Sequence, residues 1–216
     1  MNLFDILGPV MVGPSSSHTA GAVRIGYISG KLLQDHVVKA EILLHGSFAT
    51  TGIGHGTDKA LIAGLLGMRP DDIRIPDSFF LAKKDVYKRQ TLKDAHPNTA
   101  VLRLTGEHGR KIEVQAASIG GGRILIAKLD GIEVNFSAEK PTLIVHNVDQ
   151  PGHVAQVTSM LAEKQVNIAT LQLYRDKRGG YAVMVIETDQ EVPEESVAWL
   201  EQLDGIIKVT YINVEE

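Results

Sequence analysis

The sequence predicts an α+β protein built from two domains. Within residues 1–136 the helical patterns come first and the strand patterns cluster late, which favours α+β over alternating α/β. Residues 141–216 follow the order β-α-β-β-α-β, the split βαβ plan of ferredoxin-like modules. The polar segment 137–141 closes on a proline and is typical of a linker. We therefore expect one domain at 1–137 and a second at 141–216.

The first domain opens with two predicted helices and a strand. Apolar residues at helical spacing predict a helix over 17–35, with these side chains facing the core: Val23, Ile25, Ile28, Leu32 and Leu33. A strand over 39–45 follows. A second helix is expected over 57–66, with Thr57 as its N-cap and Asp58 in its first turn.

The rest of this domain reads as a polar excursion followed by strands. Residues 81–92 are polar, and we expect them to lie on the surface. The predicted strands cover 101–104, 112–119, 123–129 and 132–136. The sequence Asp130-Gly131 predicts a hairpin turn between the last two strands.

The second domain alternates regular elements with short turns. Strands are predicted over 142–146, 168–174, 181–187 and 206–212. The first helix would bury Val154, Val157 and Leu161 on one face. The second would begin at Pro193, bury Val197, Leu200 and Leu203, and end at Asp204-Gly205.

This domain resembles the ACT domain, a module that commonly senses amino acids. Its most specific element is the run Asn147-Val148-Asp149-Gln150-Pro151-Gly152 between the first strand and the first helix. Gly152 would let a ligand approach the backbone, and the amides of the helix start would meet a carboxylate. Asn147, Asp149 and Gly152 are therefore candidate ligand residues. The alternative is a plain turn that serves a dimer interface.

Composition excludes several classes of function. The chain has 216 residues and a net charge of −4, which gives no general attraction to nucleic acid or to anionic membranes. Its apolar runs are too short to cross a bilayer, and no signal peptide is evident, so we expect a cytoplasmic protein. The chain has no cysteine, so it holds no disulfide, no thiolate nucleophile and no cysteine-ligated cluster or zinc.

Four polar segments of the first domain are candidate functional loops. They are 13–19 (GPSSSHT), 52–58 (GIGHGTD), 96–99 (HPNT) and 118–123 (SIGGGR). Each lies at a junction of regular elements, where a rigid scaffold positions a loop. Three of them contain a histidine, the side chain suited to proton transfer near neutral pH. The hydroxyl-rich run at 15–19 is typical of a grip on a small polar molecule.

Each of these segments also has a simpler interpretation. The serine run is equally suited to capping a helix through Ser16 or Ser17. The glycines of 52–58 approach a dinucleotide fingerprint, but the third glycine comes one residue early. A single histidine beside glycine is usually a solvated turn residue. We expect that ordinary role for His36, His45, His108, His146 and His153.

Together with the ACT tail, the four segments resemble the β chain of bacterial iron–sulfur-dependent L-serine dehydratase. The resemblance implies conversion of L-serine to pyruvate and ammonia, a reaction of serine catabolism that supplies gluconeogenesis. It implies that a separate α chain carries the cysteines of a [4Fe–4S] cluster, that this chain ligates no metal, and that the two form a hetero-oligomer. An iron of the cluster would act as a Lewis acid toward the serine hydroxyl while a base removes the Cα proton.

The resemblance also implies roles for individual residues. His18, His55 and His96 are the candidate acid–base or substrate-contacting groups, although the α chain is an alternative source of the base. The substrate's charged ends and their neighbours would be held by Ser15, Ser16, Ser17, Thr19, Asp58 and Asn98. The competing hypotheses are a non-catalytic serine-binding module that regulates a partner enzyme, and a nucleotide-binding protein.

Overall fold

The computed structural model describes residues 9–82, 87–89, 92 and 95–213. The chain divides into two compact units, residues 1–131 and 132–216. The division falls shortly before the expected linker, and the domain limits at 137 and 141 stay predictions. The α+β class is confirmed, because each unit combines helices with a largely antiparallel sheet.

The first unit contains helices and strands in the predicted order, with additional short elements. Its helical elements are a π-helical turn (Ser16–Gly21), α1 (Ala22–Leu33), α2 (Gly46–Thr50), α3 (Gly52–His55), α4 (Thr57–Leu65), a 3₁₀ turn (Ile75–Asp77) and α5 (Ser78–Ala82). Its strands are β1 (Val37–Leu44), β2 (Tyr87–Arg89), β3 (Thr99–Gly106), β4 (Lys111–Gly120) and β5 (Arg123–Leu129).

The strands of this unit form a sheet with the order β2-β1-β3-β4-β5. β2 runs parallel to β1, and the other neighbours are antiparallel. The predicted inner side chains of the first helix are all fully buried. α1 and α4 cross at two glycines: a Cβ on Gly26 would overlap the Leu61 carbonyl, and one on Gly64 would overlap the Val23 carbonyl. Their backbones therefore touch without intervening side chains.

Two local predictions for the first unit are wrong. The first helix opens as a π-helical turn, and its cap is Ser15 instead of Ser16 or Ser17. α4 is preceded by Gly56 in the left-handed region (φ 69°), so Thr57 lies inside the helix and caps nothing. Within the polar segment 81–92, residues 87–89 form the edge strand β2, and the surface location expected for this segment stays a prediction. Much of the remaining excursion lies outside the described residues.

The second unit confirms the β-α-β-β-α-β order. Strand β6 (Ile132–Phe136) precedes β7 (Thr142–Val148), α6 (His153–Glu163), β8 (Ile168–Arg175), β9 (Tyr181–Thr188), α7 (Glu194–Leu200) and β10 (Ile206–Ile212). The last four strands form an antiparallel sheet in the order β10-β7-β9-β8.

Helices α6 and α7 contribute to one apolar core with the sheet. Val157 and Leu161 of α6 are fully buried there with Leu143 and Val145 of β7, as the helical spacing predicts. Val154 is an exception, because 38% of its surface is exposed. α7 ends at Leu200, earlier than expected.

Leu203 lies in the turn after α7 but still packs against the core. Within the described part of the chain, no helix is both long enough and apolar enough to span a membrane.

Candidate active site

The first polar segment folds into a capped π-helical turn that presents His18. The Ser15 backbone is extended (φ −144°, ψ 125°), and its hydroxyl accepts a hydrogen bond from the His18 amide at 3.2 Å. The Ser15 carbonyl accepts from the Thr19 amide at 2.8 Å. Gly13 adopts φ 151°, and a Cβ there would overlap the Thr19 side chain. These contacts hold the backbone of His18 in place at the start of the helix.

The second polar segment places His55 at the end of a short helix. Its ring Nδ1 lies 3.0 Å from the Thr51 carbonyl, one helical turn earlier. The left-handed Gly56 then reverses the chain into α4. Because α2 stands between β1 and Gly52, the glycines do not follow a strand directly. The strand–glycine–helix layout of a dinucleotide site is therefore absent at this position.

The two histidines meet, although 37 positions separate them in the sequence. Their ring centroids are 4.9 Å apart, with 37° between the ring planes. The His18 ring also contacts the buried Phe48 edge to face, with the ring centroids 5.2 Å apart and 66° between the planes. The His18 Nε2 atom lies 3.1 Å from Ser47 Oγ and 3.2 Å from Thr51 Oγ1. We call these four polar residues the imidazole cluster: His18, Ser47, Thr51 and His55.

The surroundings of His18 lower its pKa. The largest cause is burial, which disfavours the charged imidazolium, and the second is the neighbouring His55. The backbone carbonyl of Ser47 acts in the opposite direction. These surroundings favour the neutral ring of His18, and a neutral imidazole has one lone pair that accepts a proton.

The third and fourth polar segments support this cluster from behind. The Pro97 carbonyl accepts from the Phe48 amide at 3.4 Å, and a Cβ on Gly46 would overlap Pro97. The Asn98 carbonyl accepts from the Ser118 amide at 2.9 Å. The Ser118 side chain in turn lies against Gly21, at the end of the π-helical turn. The third and fourth segments are thus joined by a backbone hydrogen bond, and they contact α2 and the end of the π-helical turn.

His96 is placed differently from the other two predicted histidines. Its side chain is exposed, and its Nδ1 accepts a hydrogen bond from the Asn98 amide at 3.1 Å. The structure brings the segment of His96 against α2, but the hydrogen bond described for its ring is local. A role of His96 in acid–base chemistry stays a prediction.

The predicted substrate-binding residues have diverse environments. Ser16 and Ser17 are half-buried in the π-helical turn, and Ser15 is engaged as its cap. Thr19 is 2% exposed, so packing explains it more simply than a substrate contact does. Asp58 is buried, and its carboxylate accepts from the Lys59 amide at 2.8 Å. Direct contacts of these side chains with substrate stay predictions.

The sequence analysis missed the three α2-region residues that hold the histidines: Ser47, Phe48 and Thr51. A signal was available, since Ser47 and Thr51 stand four residues apart and directly precede the glycine-rich segment. Two hydroxyls at that spacing lie on one face of a helix.

The sequence comparisons identify the family. A family profile described as serine dehydratase beta chain matches residues 2–79, and one described as ACT domain matches residues 141–205. A probable L-serine dehydratase beta chain of Bacillus subtilis (strain 168) is 40% identical over 215 residues, covering 98% of this chain and 97% of that protein. This chain belongs to the serine dehydratase beta chain family.

Other relatives extend the comparison. The L-serine dehydratase beta chain of Peptoniphilus asaccharolyticus is 35% identical over 216 residues, covering 98% of this chain and 97% of that protein. A D-3-phosphoglycerate dehydrogenase of Methanocaldococcus jannaschii is 28% identical over 200 residues, covering 89% of this chain but only 37% of that protein. The four residues of the imidazole cluster all lie within residues 2–79, the region that the serine dehydratase beta chain profile matches.

The candidate ligand residues of the ACT domain are engaged within the domain itself. The Asp149 carboxylate accepts from the Gly179 amide at 2.9 Å and from the Arg175 guanidinium at 3.0 Å. The Gly179 amide, followed by Arg175, lowers the pKa of Asp149. The Asn147 side-chain amide donates to the Val148 carbonyl at 2.7 Å, and Gly152 precedes α6 with φ 108°. Their roles toward an effector stay predictions.

Two histidines of the ACT domain are not the solvated turn residues that we expected. His146 lies in the middle of the sheet, 1% exposed, with its Nδ1 hydrogen-bonded to the Tyr181 hydroxyl. Burial, followed by Lys208, lowers the pKa of His146 to about 4. His153 begins α6 and is 7% exposed, with Nδ1 3.3 Å from Gln156 Oε1.

The residues of this chain do not fit the ligand set of an iron–sulfur cluster. The sequence contains no cysteine. Among the described residues, no three side chains of the histidine, aspartate, glutamate or cysteine types are grouped so that they could bind a metal ion. Any cluster therefore requires ligands from another polypeptide.

Proposed function

We propose that this chain is the catalytic β subunit of a [4Fe–4S]-dependent L-serine dehydratase, active together with a cysteine-bearing α chain. Membership of the family supports the reaction class. The observation that carries a catalytic role is the meeting of His18 and His55, at a centroid distance of 4.9 Å. A purely regulatory module needs binding contacts, but it does not need two adjacent imidazoles whose nitrogens are held by hydroxyl and carbonyl partners.

The reaction requires a base held at a fixed position. L-Serine loses its Cα proton and its β-hydroxyl, the latter as water, to give aminoacrylate. This enamine tautomerises to an imine, which water hydrolyses to pyruvate and ammonia. Because the Cα proton is weakly acidic, its removal depends on a positioned acceptor. His18 meets that need, since the Ser47 and Thr51 hydroxyls hold its ring and its lowered pKa favours the neutral, proton-accepting form.

The partner α chain and an amino-acid effector complete the proposal. The relatives' description as beta chains implies an alpha chain, and we assign the cluster and all its ligands to that chain. The ACT domain would bind an amino-acid effector near Asn147, Asp149 and Gly152. Serine catabolism feeding gluconeogenesis and a cytoplasmic location follow as expectations from this activity.

Reconstitution tests the proposal. The full chain is mixed anaerobically with a cluster-bearing α chain, and pyruvate formation from L-serine is followed. We expect turnover only with both chains present. His18→Ala and His55→Ala should each lower kcat by about 100-fold or more, the usual contribution of a positioned acid–base group. His36→Ala is the matched control, because His36 is an exposed histidine of the same unit.

The regulatory alternative predicts a different result. If both variants alter the dependence on serine but leave the maximal rate unchanged, the chain regulates its partner instead of contributing to catalysis. His96→Ala, measured in the same assay, decides whether this exposed histidine belongs to the site.

A further inference from the structure

The partners of the two clustered imidazoles differ in kind, and that difference determines where each ring carries its proton. His55 Nδ1 faces the Thr51 backbone carbonyl at 3.0 Å. A carbonyl oxygen only accepts hydrogen bonds, so this nitrogen must donate. A neutral His55 is therefore protonated on Nδ1, and its Nε2 carries the lone pair.

His18 faces hydroxyls instead, so its proton must be found by counting donors. The Thr51 hydroxyl lies 2.9 Å from the Ser47 carbonyl and donates to it, because that carbonyl cannot donate in return. A hydroxyl has one hydrogen, so Thr51 Oγ1 is left as an acceptor toward His18 Nε2, 3.2 Å away. Protonation of Nε2 satisfies this contact, whereas an unprotonated Nε2 would set two lone pairs against each other.

Ser47 is compatible with the same arrangement. Its Oγ lies 3.1 Å from Thr51 Oγ1 and 3.1 Å from His18 Nε2. The Ser47 hydroxyl donates to Thr51 Oγ1 and accepts from His18 Nε2. The single Nε2 hydrogen is then shared between the Ser47 and Thr51 hydroxyl oxygens, and each hydroxyl hydrogen has one acceptor.

We propose that Ser47 and Thr51 are positioning residues that fix opposite neutral tautomers of the two histidines, Nε2–H at His18 and Nδ1–H at His55. The assignment deepens the proposed function and rests on it for its catalytic meaning. It leaves Nδ1 of His18 and Nε2 of His55 as the two lone pairs that receive protons. Thr51 holds both rings, His18 through its side chain and His55 through its backbone.

The two tethers predict an unequal response to mutation. Thr51→Val removes the hydroxyl acceptor but keeps the backbone carbonyl, so it should release the tautomer of His18 and leave that of His55 unchanged. Thr51→Ser keeps both. Ser47→Ala leaves Thr51 Oγ1 still donating to the carbonyl of residue 47, so His18 should stay protonated on Nε2. Thr50→Val is the matched control, because Thr50 is exposed on the same helix and bonds only its carbonyls among the described contacts.

Nitrogen NMR of the full chain labelled with ¹⁵N-histidine measures these tautomers directly, at a pH above the titration range of histidine. Signals are assigned with His18→Asn and His55→Asn. We expect pyrrole-type Nε2 and pyridine-type Nδ1 at His18, and the reverse at His55. In Thr51→Val the tautomer ratio of His18 should shift by about tenfold, the scale of one net hydrogen bond.

The proposal is overturned if His18 of the parent chain is protonated on Nδ1, or if Thr51→Val and Thr50→Val give the same His18 spectrum. The parent spectrum alone decides even if Thr51→Val does not fold. Because neither the α chain nor serine is present, the result is independent of whether the proposed function holds.

In the reconstituted enzyme, Thr51→Val should lower kcat by about tenfold with KM unchanged. A raised KM with unchanged kcat would instead make Thr51 a substrate contact.

Discussion

His18 and His146 have the same electrostatic signature in two different settings. Burial is the largest cause of a lowered pKa for both rings. His18 is half-buried at the junction of two separate segments, against a second imidazole and two hydroxyls. His146 is enclosed in the middle of a sheet, with one ring nitrogen hydrogen-bonded to a tyrosine. A lowered histidine pKa therefore indicates burial. A candidate site is indicated when the ring is also partly accessible to solvent and polar groups from separate segments meet at it.

The largest difference between the two rings should appear in catalysis. With the reconstituted enzyme, His18→Asn should lower kcat by about 100-fold or more, since a positioned base is lost. His146→Asn should keep kcat within about twofold, because its ring is enclosed in the sheet. Steady-state pyruvate formation measures both variants. Equal losses of kcat would erase the distinction between the two settings.

Stability should rank the two rings in the opposite order. His146→Asn removes a buried ring and leaves the Tyr181 hydroxyl without this partner, which should lower the free energy of unfolding by about 1–3 kcal/mol. His18→Asn should cost less, because its ring is only half-buried. Urea unfolding of both variants gives the comparison, and a larger loss for His18→Asn would contradict it.

The pH dependence of stability should also trace to His146. Its pKa is about 4 in the folded chain and about 6.5 in the unfolded chain. As pH falls, His146 is therefore protonated at a higher pH in the unfolded chain than in the folded chain. Stability should therefore fall as pH decreases from about 6.5 to about 4, by up to about 3 kcal/mol. Urea midpoints across this range should decline less steeply in His146→Asn. A parallel decline in both proteins would assign the effect to other groups.

The smallest effect is expected at an exposed histidine of the first unit. His108 Nδ1 pairs with Asp35 at 2.8 Å, and Asp35 raises the pKa of His108. Because the folded pKa of His108 is raised, the pair with Asp35 stabilises the fold at pH values below the unfolded pKa. That contribution is lost as pH rises through the folded pKa. His108→Ala should therefore lower Tm slightly in mild acid and not at alkaline pH. A Tm difference that persists at alkaline pH would point to lost packing.

The sequence patterns predicted the elements better than the contacts that complete the site. Apolar periodicity identified the buried face of α1 because each of its positions faces the same core. The cap before α4 was mistaken because a left-handed glycine and a threonine are adjacent, and either suits a helix start. Val154 has the right spacing yet stays exposed, although its neighbour His153 in the same turn of α6 is buried.

The site was predicted as separate pieces that the sequence could not join. Histidines among glycines and serines marked His18 and His55, but no local pattern encodes that they meet. Their meeting depends on α2, whose five residues are too few to show a helical period. The burial of His146 likewise depends on neighbouring strands that are distant in sequence.

The close crossing of α1 and α4 has a consequence for the two imidazoles, because each ring lies just before one of these helices. His18 lies in the turn that leads into α1, and His55 lies one residue before the glycine that leads into α4. Gly26 and Gly64 let these helices touch backbone to backbone, so we expect this contact to determine how far apart the two helices begin. One added methyl group at either glycine would push the two helices apart, and we expect the distance between the His18 and His55 rings to increase with it. Two residues that carry no side chain would thus help to position two catalytic candidates.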